Sequence, residues 1–227
     1  MKKRKMQKGI LICLSLFLTI YFVGCVDNSN RNPVVTLTIN SDNENLNENG
    51  EGIGGTIQIE LYPDKAPNSV AYFIDFIMNK TYDNFSVSKV FSGSIVQFGD
   101  PWMSKRIHTE IEGEFIENGY EGNDVEFKRG TVGLDRFVKD DYNSASGDFF
   151  ILLSDEAGKS YTGKYAAIGE VISGMEVLEK ISNIKCYPDY EPVYSIRTLS
   201  TTVDLKGVTY EKPITRERRT YPGVNTD

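Results

Sequence analysis

Residues 56–78, TIQIELYPDKAPNSVAYFIDFIM, change hydrophobic period partway through. Ile57, Ile59 and Leu61 alternate with other residues, the period of a strand with one buried face. Beyond Pro63-Asp64-Lys65 the spacing switches: Val70, Phe73, Ile74 and Ile77 recur at i, i+3, i+4 and i+7. That is the stripe of a helix lying on a core. Pro67 suits the first helical turn, where its missing N–H is not needed.

The rest of the chain reads mainly as short strands. PVVTLTIN (33–40) alternates and is rich in β-branched residues, and residues 86–101, SVSKVFSGSIVQFGDP, form two short strands around a turn. Further apolar runs lie at Thr131–Leu134, Phe149–Leu153 and Tyr165–Val171, and residues 193–210 return to strand composition. A second helix follows Gly174, with Val177, Leu178 and Ile181 facing inward. Thirteen Tyr and twelve Phe among 227 residues reinforce the β reading and suit one domain with a sizeable core. Many strands with only two helices predict a mainly β fold, a closed antiparallel barrel or sandwich plugged by the helices. The Asn, Glu and Gly-rich stretch 41–54 is a solvated loop. It is not a calcium loop, since counting from Asp42 puts Leu46 and Asn47 where an oxygen ligand and a glycine belong.

The N-terminus has a different character. MKKRKMQK carries five positive charges, Gly9 to Val23 carry none, and Gly24-Cys25 follow. A basic start, a short apolar stretch and a small residue form the layout of an export signal, and the stretch is shorter than a spanning helix requires. The segment resembles a bacterial lipoprotein leader (residues 1–24), which implies acylation of Cys25, residues 25–32 as tether, and a lipid anchor on the extracytoplasmic face of the membrane. Removing residues 1–24 takes five basic side chains and no acidic one, so the formal charge moves from −7 to −12. An acidic body of this kind argues against nucleic acid as a partner. Cys13 leaves with the leader and Cys25 is consumed by lipid, so Cys186 stands alone and no internal disulfide is expected.

Several chemistries are excluded. The one histidine, His108, lies in the polar segment SKRIHTE with no nucleophile motif around it, so neither a Ser-His-Asp set nor a nitrogen–sulfur metal site can be assembled. No phosphate-binding glycine loop is present. What remains is binding, or a reaction that needs only placement and polar stabilisation.

GTIQIELYPDKAPNSVAYFIDFI, VSKVFSGSIVQFGDP, IEGEF, RGTVGLDR, NSASGDFFILL, YTGKYAAIGEVISGMEVLEKI and VDLKGVTYEKP follow one another along the chain. In this order they resemble the cyclophilins, the barrel-forming peptidyl-prolyl cis–trans isomerases, and the bacterial type most closely. The resemblance spans residues 33–213, leaving 214–227 as a polar tail. It implies a closed eight-stranded antiparallel barrel capped by two helices, a peptide groove on its outer face, no cofactor, proline-containing polypeptides as partners, and a monomer. Lys89 falls at the position of the family's catalytic arginine, and Gln97 at that of its substrate-positioning glutamine. Phe150 matches the phenylalanine of the proline pocket. Ile95 replaces a methionine, Ser94 a phenylalanine, and Tyr161 a leucine, while Tyr165 stands where His or Tyr occurs. Arg136 matches a residue bacterial members often carry, Asp135 replaces a small alanine, and Asp148 replaces a glutamine.

These departures bear on turnover. A lysine presents one N–H to a prolyl nitrogen but cannot also brace Gln97 through a planar fork. Losing one such aimed donor costs about 1–3 kcal/mol, roughly 10- to 100-fold in rate. The expectation is an isomerase that assists folding of exported proteins, with activity reduced at Lys89. The alternative is a proline-peptide binding module or chaperone-like scaffold with little or no turnover.

Overall fold

The computed structural model describes residues 31–40, 52–99 and 108–219. The leader and Cys25, most of loop 41–54 and the last eight residues lie outside that set. Strand β1, Val34–Ile39, buries Val35, Leu37 and Ile39. It pairs antiparallel with β2, Gly55–Leu61, where Leu37 faces Ile57 and Val35 faces Ile59. Helix α1, Pro67–Met78, begins on the proline the sequence singled out and buries Val70, Phe73, Ile74 and Ile77. Ala66 offers it no side-chain cap. The Glu114 carboxylate does this from a distance, accepting from the backbone N–H groups of Asn68 (3.0 Å) and Ser69 (2.6 Å).

Six more strands complete the main sheet: β3 Val87–Phe91, β4 Ile95–Phe98, β6 Thr131–Leu134, β7 Phe149–Leu152, β8 Ala166–Ser173 and β9 Thr198–Asp204. β3 and β4 are the two strands expected around a turn, with Gly93 at φ 68° between them. The sheet order is β3-β4-β7-β6-β8-β2-β1-β9, antiparallel throughout. Helix α3, Met175–Ser182, buries Val177, Leu178 and Ile181, as its spacing predicts. A single helical turn not expected from sequence, α2 at Asp155–Gly158, is capped by the Ser154 side chain.

The closed barrel is corrected by this topology to an open half-barrel, because β3 and β9 end the ladder without pairing along their lengths. They meet through the Ser86–Arg197 bridge and nearby backbone bonds, Val87 N–H to Ile196 O and Thr198 N–H to Phe85 O, both 2.9 Å. The segment before β9 carries Pro188 and Pro192, which lack the N–H that a longer ladder needs. Between the sheet and α1 lies an aromatic core in which Phe149 packs against Phe73, Tyr82 and Phe98 at centroid distances of 4.8–5.5 Å. Tyr82 is fully buried and its hydroxyl donates to Gly147 O at 2.7 Å.

Residues 214–219 do not trail free. β10, Arg216–Glu217, pairs with β5, Thr109–Glu110. The fully buried Glu110 carboxylate accepts from Arg216 Nε at 3.0 Å and Arg219 Nε at 2.6 Å. An unpaired carboxylate there would be costly, so the polar tail supplies the cations that Glu110 requires.

Candidate functional site

Alternation along β4 and β7 divides two sets of side chains between two clusters. Val96, Phe98, Phe149 and Ile151 join the main core, whereas Ile95, Phe150 and Leu152 join a second cluster with Phe127 and Ala167. The second cluster marks the opposite, outer face of the sheet. Cross-strand pairing aligns Lys89 with Gln97, Gln97 with Phe150, and Phe150 with Gly133. Directly opposed residues share a face, so one row across three neighbouring strands carries the lysine, the glutamine and the phenylalanine. This brings together the residues that the sequence assigned to one site.

The apolar end of the row is densely packed. Phe150 is only 1% exposed, beneath Tyr161 at 4.9 Å and Tyr165 at 5.3 Å, with Phe127 stacked at 6.0 Å. Its ring is therefore not an open floor; the half-exposed tyrosine rings form the surface that a peptide would meet. Gly133 makes this packing possible. A Cβ built there would lie 2.4 Å from Phe150 Cζ and 2.9 Å from Phe127 Cε1. Ile95 faces Leu152 across the ladder. Ser94 sits in the turn, its N–H bonded to Phe91 O and its carbonyl accepting from Leu153 N–H, both 2.8 Å. It offers no aromatic wall. Phe91 packs against the same cluster instead and stacks on Tyr190 at 4.4 Å.

The polar end departs further from expectation. Lys89 Nζ donates to the Asp189 carbonyl at 2.9 Å and pairs with Glu191 Oε1 at 3.4 Å, with Asp189 Oδ2 at 3.8 Å. The ammonium is held by the hairpin 185–193. That hairpin is closed by Val193 N–H to Lys185 O and fixed to β3 by Val90 N–H to Tyr190 O, both 2.9 Å. Gln97 Nε2 donates to Asp135 Oδ2 at 2.6 Å. The other carboxyl oxygen of Asp135 accepts from the backbone N–H of Arg136 at 2.8 Å. Burial pushes the Asp135 carboxyl up to about 6. Arg136 stacks its guanidinium 4.2 Å above the Tyr165 ring and 4.9 Å from Tyr142, with Nε and Nη1 buried and lacking a hydrogen-bond partner. Asp148 lies at the end of β7 beside Gly99, and its carbonyl accepts from Asp135 N–H at 2.7 Å.

Sequence reading did not single out Gly133, Phe127, Phe91, Asp189 or Glu191. The last two sit in CYPDYEP, whose prolines mark a turn. Nothing local shows that this turn closes on Lys89.

Comparison with known proteins agrees with the fold. The family model described as cyclophilin type peptidyl-prolyl cis-trans isomerase/CLD matches residues 46–203. A Brucella suis protein named probable peptidyl-prolyl cis-trans isomerase is 32% identical over 134 residues, which is 56% of this chain and 66% of that protein. The chain thus spans just under two thirds of that relative. Peptidyl-prolyl cis-trans isomerase B of Escherichia coli is 29% identical over 138 residues, 57% of this chain and 80% of the relative. Among solved structures, a Cryptosporidium parvum cyclophilin type peptidyl-prolyl cis-trans isomerase superposes with a TM-score of 0.60 at 20% identity, covering 76% of this chain and 97% of that one. With the matched segment covering most of the chain, the protein belongs to the cyclophilin-type peptidyl-prolyl cis–trans isomerase family.

Proposed function

We propose that the protein is a peptidyl-prolyl cis–trans isomerase of reduced turnover, acting on proline-containing polypeptides at the outer face built around Phe150. The observation that carries this reading is the row Lys89–Gln97–Phe150, which sets a cation, an amide and an aromatic seat side by side.

The chemistry asks little more. The barrier to rotating an X–Pro bond, about 18–20 kcal/mol, is lost amide resonance. As the bond twists, the prolyl nitrogen regains its lone pair, and a donor aimed at it lowers the barrier because the contact is stronger in the twisted state than in either planar one. The aromatic surface of Tyr161 and Tyr165 over Phe150 receives the proline ring. Gln97 keeps one amide hydrogen and its carbonyl oxygen for the flanking backbone, since its bond to Asp135 uses one N–H. Lys89 supplies the donor once its ammonium leaves the Asp189 carbonyl and the Asp189 and Glu191 carboxylates. The Lys89 side chain is 31% exposed and Glu191 51%, and such pairs are worth about 0–1 kcal/mol. The Glu191 pair therefore slows turnover by at most about fivefold and does not forbid it.

A second reading, a proline-peptide binding module without turnover, draws on the same contacts. Lys89 is engaged away from the row, and Phe150 is covered by tyrosines. Measuring cis-to-trans relaxation of an X–Pro peptide with wild type and Lys89→Ala separates the two. Acceleration by wild type that falls with Lys89→Ala supports the isomerase. Identical rates at the uncatalysed level overturn it and leave the binding module.

The setting we propose is outside the cytoplasmic membrane, on exported chains, with Cys25 acylated and residues 25–32 as tether. Among the described residues no helix is long and apolar enough to cross a membrane. Incorporation of labelled palmitate that is lost in Cys25→Ser is the expected result; equal labelling of both overturns the anchor.

A further inference from the structure

Asp135 does not belong to the apolar face it occupies. Its carboxyl is held by two neutral donors, the Gln97 amide at 2.6 Å and the Arg136 backbone N–H at 2.8 Å. A carboxylate accepts about four hydrogen bonds, so half its capacity is unused. Among the described residues no lysine or arginine forms an ion pair with it. The nearest cation in sequence, Arg136, lays its guanidinium against the rings of Tyr165, Tyr142 and Phe115. Lys89, on the same row as Gln97, is held by Asp189 and Glu191. The charged group that acts electrostatically on this carboxyl is therefore Arg136 from its own segment, and the carboxyl in turn raises the neighbouring Tyr161 hydroxyl, from the turn before β8, further above its usual range.

A desolvated carboxylate without a cation in ion-pair contact gains from any ligand that brings one. We propose that Asp135 is a specificity-determining residue that makes this face prefer prolyl segments carrying a lysine or arginine side chain beside the proline. This rests on the reading that a prolyl peptide occupies the face. The acidic body, −7 over the whole chain, steers such segments toward it. Burial supports the same conclusion, since it pushes the carboxyl up to about 6. The ionised form that recruits a cation is then dominant at neutral pH and disappears as pH falls through that value. The preference is consequently pH-dependent, while the charge of the ligand's lysine is not.

The test uses fluorescent peptides identical except for lysine, norleucine or glutamate next to the proline, with binding read by anisotropy. Wild type at pH 7.5 is expected to bind the lysine peptide about tenfold more tightly than the norleucine peptide. Asp135→Asn, which keeps the shape and removes the charge, with the Gln97 amide turning over so that its carbonyl accepts from the new NH2, is expected to bring that ratio within about twofold. The wild-type ratio should also shrink between pH 7.5 and pH 5, a readout that needs no variant. An unchanged ratio in Asp135→Asn, or one insensitive to pH, overturns the assignment. Equal binding of all three peptides to wild type overturns the preference alone. Failure of every peptide to bind overturns the peptide-face reading and the preference with it.

Discussion

The two ends of the Lys89–Gln97–Phe150 row were altered in different ways and with different consequences. At the aromatic end, tyrosines stand at 161 and 165, yet the rings close over Phe150 with centroid distances of 4.9–5.4 Å and leave that side chain almost fully buried. At the polar end, Lys89 and Gln97 keep their places on the sheet and Asp135 directly follows β6, but they bond to partners that the family pattern does not suggest. Apolar packing is non-directional and accepts a different set of rings if the volume is filled. A directional polar group, once its partner changes, is aimed somewhere else. Under the proposed function the aromatic end is thus robust and the donor adjustable, which is the physical basis for expecting binding to outlast turnover.

Breaking the aromatic end should have the largest effect. Phe150→Ala removes a fully packed ring and is expected to cost about 3–5 kcal/mol of stability, together with peptide binding. Urea unfolding measures it, and a loss under 1 kcal/mol would show that the tyrosines close the gap unaided. Gly133→Val drives a side chain into the Phe150 and Phe127 rings. A loss of about 1–3 kcal/mol is expected, with a changed aromatic near-ultraviolet circular dichroism spectrum.

The polar end should respond more gently and with a signature in pH. Asp135 is raised from an ordinary 3.8 to about 6, so folding disfavours its charged form. That penalty is present above pH 6 and is relieved as pH falls from 6 toward 4. Asp135→Asn should therefore be more stable than wild type at pH 8, on the order of 3 kcal/mol, and the gap should close near pH 4. Parallel thermal unfolding at both pH values checks it; a gap independent of pH would place its cause elsewhere. The smallest effect is reserved for the hairpin contact. Glu191→Gln should raise the isomerisation rate by up to about fivefold while leaving stability within about 0.5 kcal/mol. An unchanged rate would mean that Lys89 already reaches the substrate, or that another group provides the donor.

Much of this protein could be read from its residues in order. The change of period after Leu61 marks a strand and then a helix, and the same apolar positions are buried in the structure. Strand alternation also places Ile95 and Gln97 together on one face, where the ladder puts them. These features are local, and a period of two or 3.6 residues is visible in any short window. What the tertiary structure decided lies between residues far apart in the chain. Lys89 and its carbonyl partner at Asp189 are 100 positions apart, Gln97 and Asp135 are 38 apart, and Glu110 waits for arginines more than 100 residues downstream. The open edge between β3 and β9 and the burial of Phe150 beneath Tyr161 are likewise products of chain return. A single polar contact leaves no periodic trace, and its energy is too small for composition to register. So the residues themselves indicate the family and a candidate site, and only the folded chain decides how the sheet ends and what each polar side chain holds.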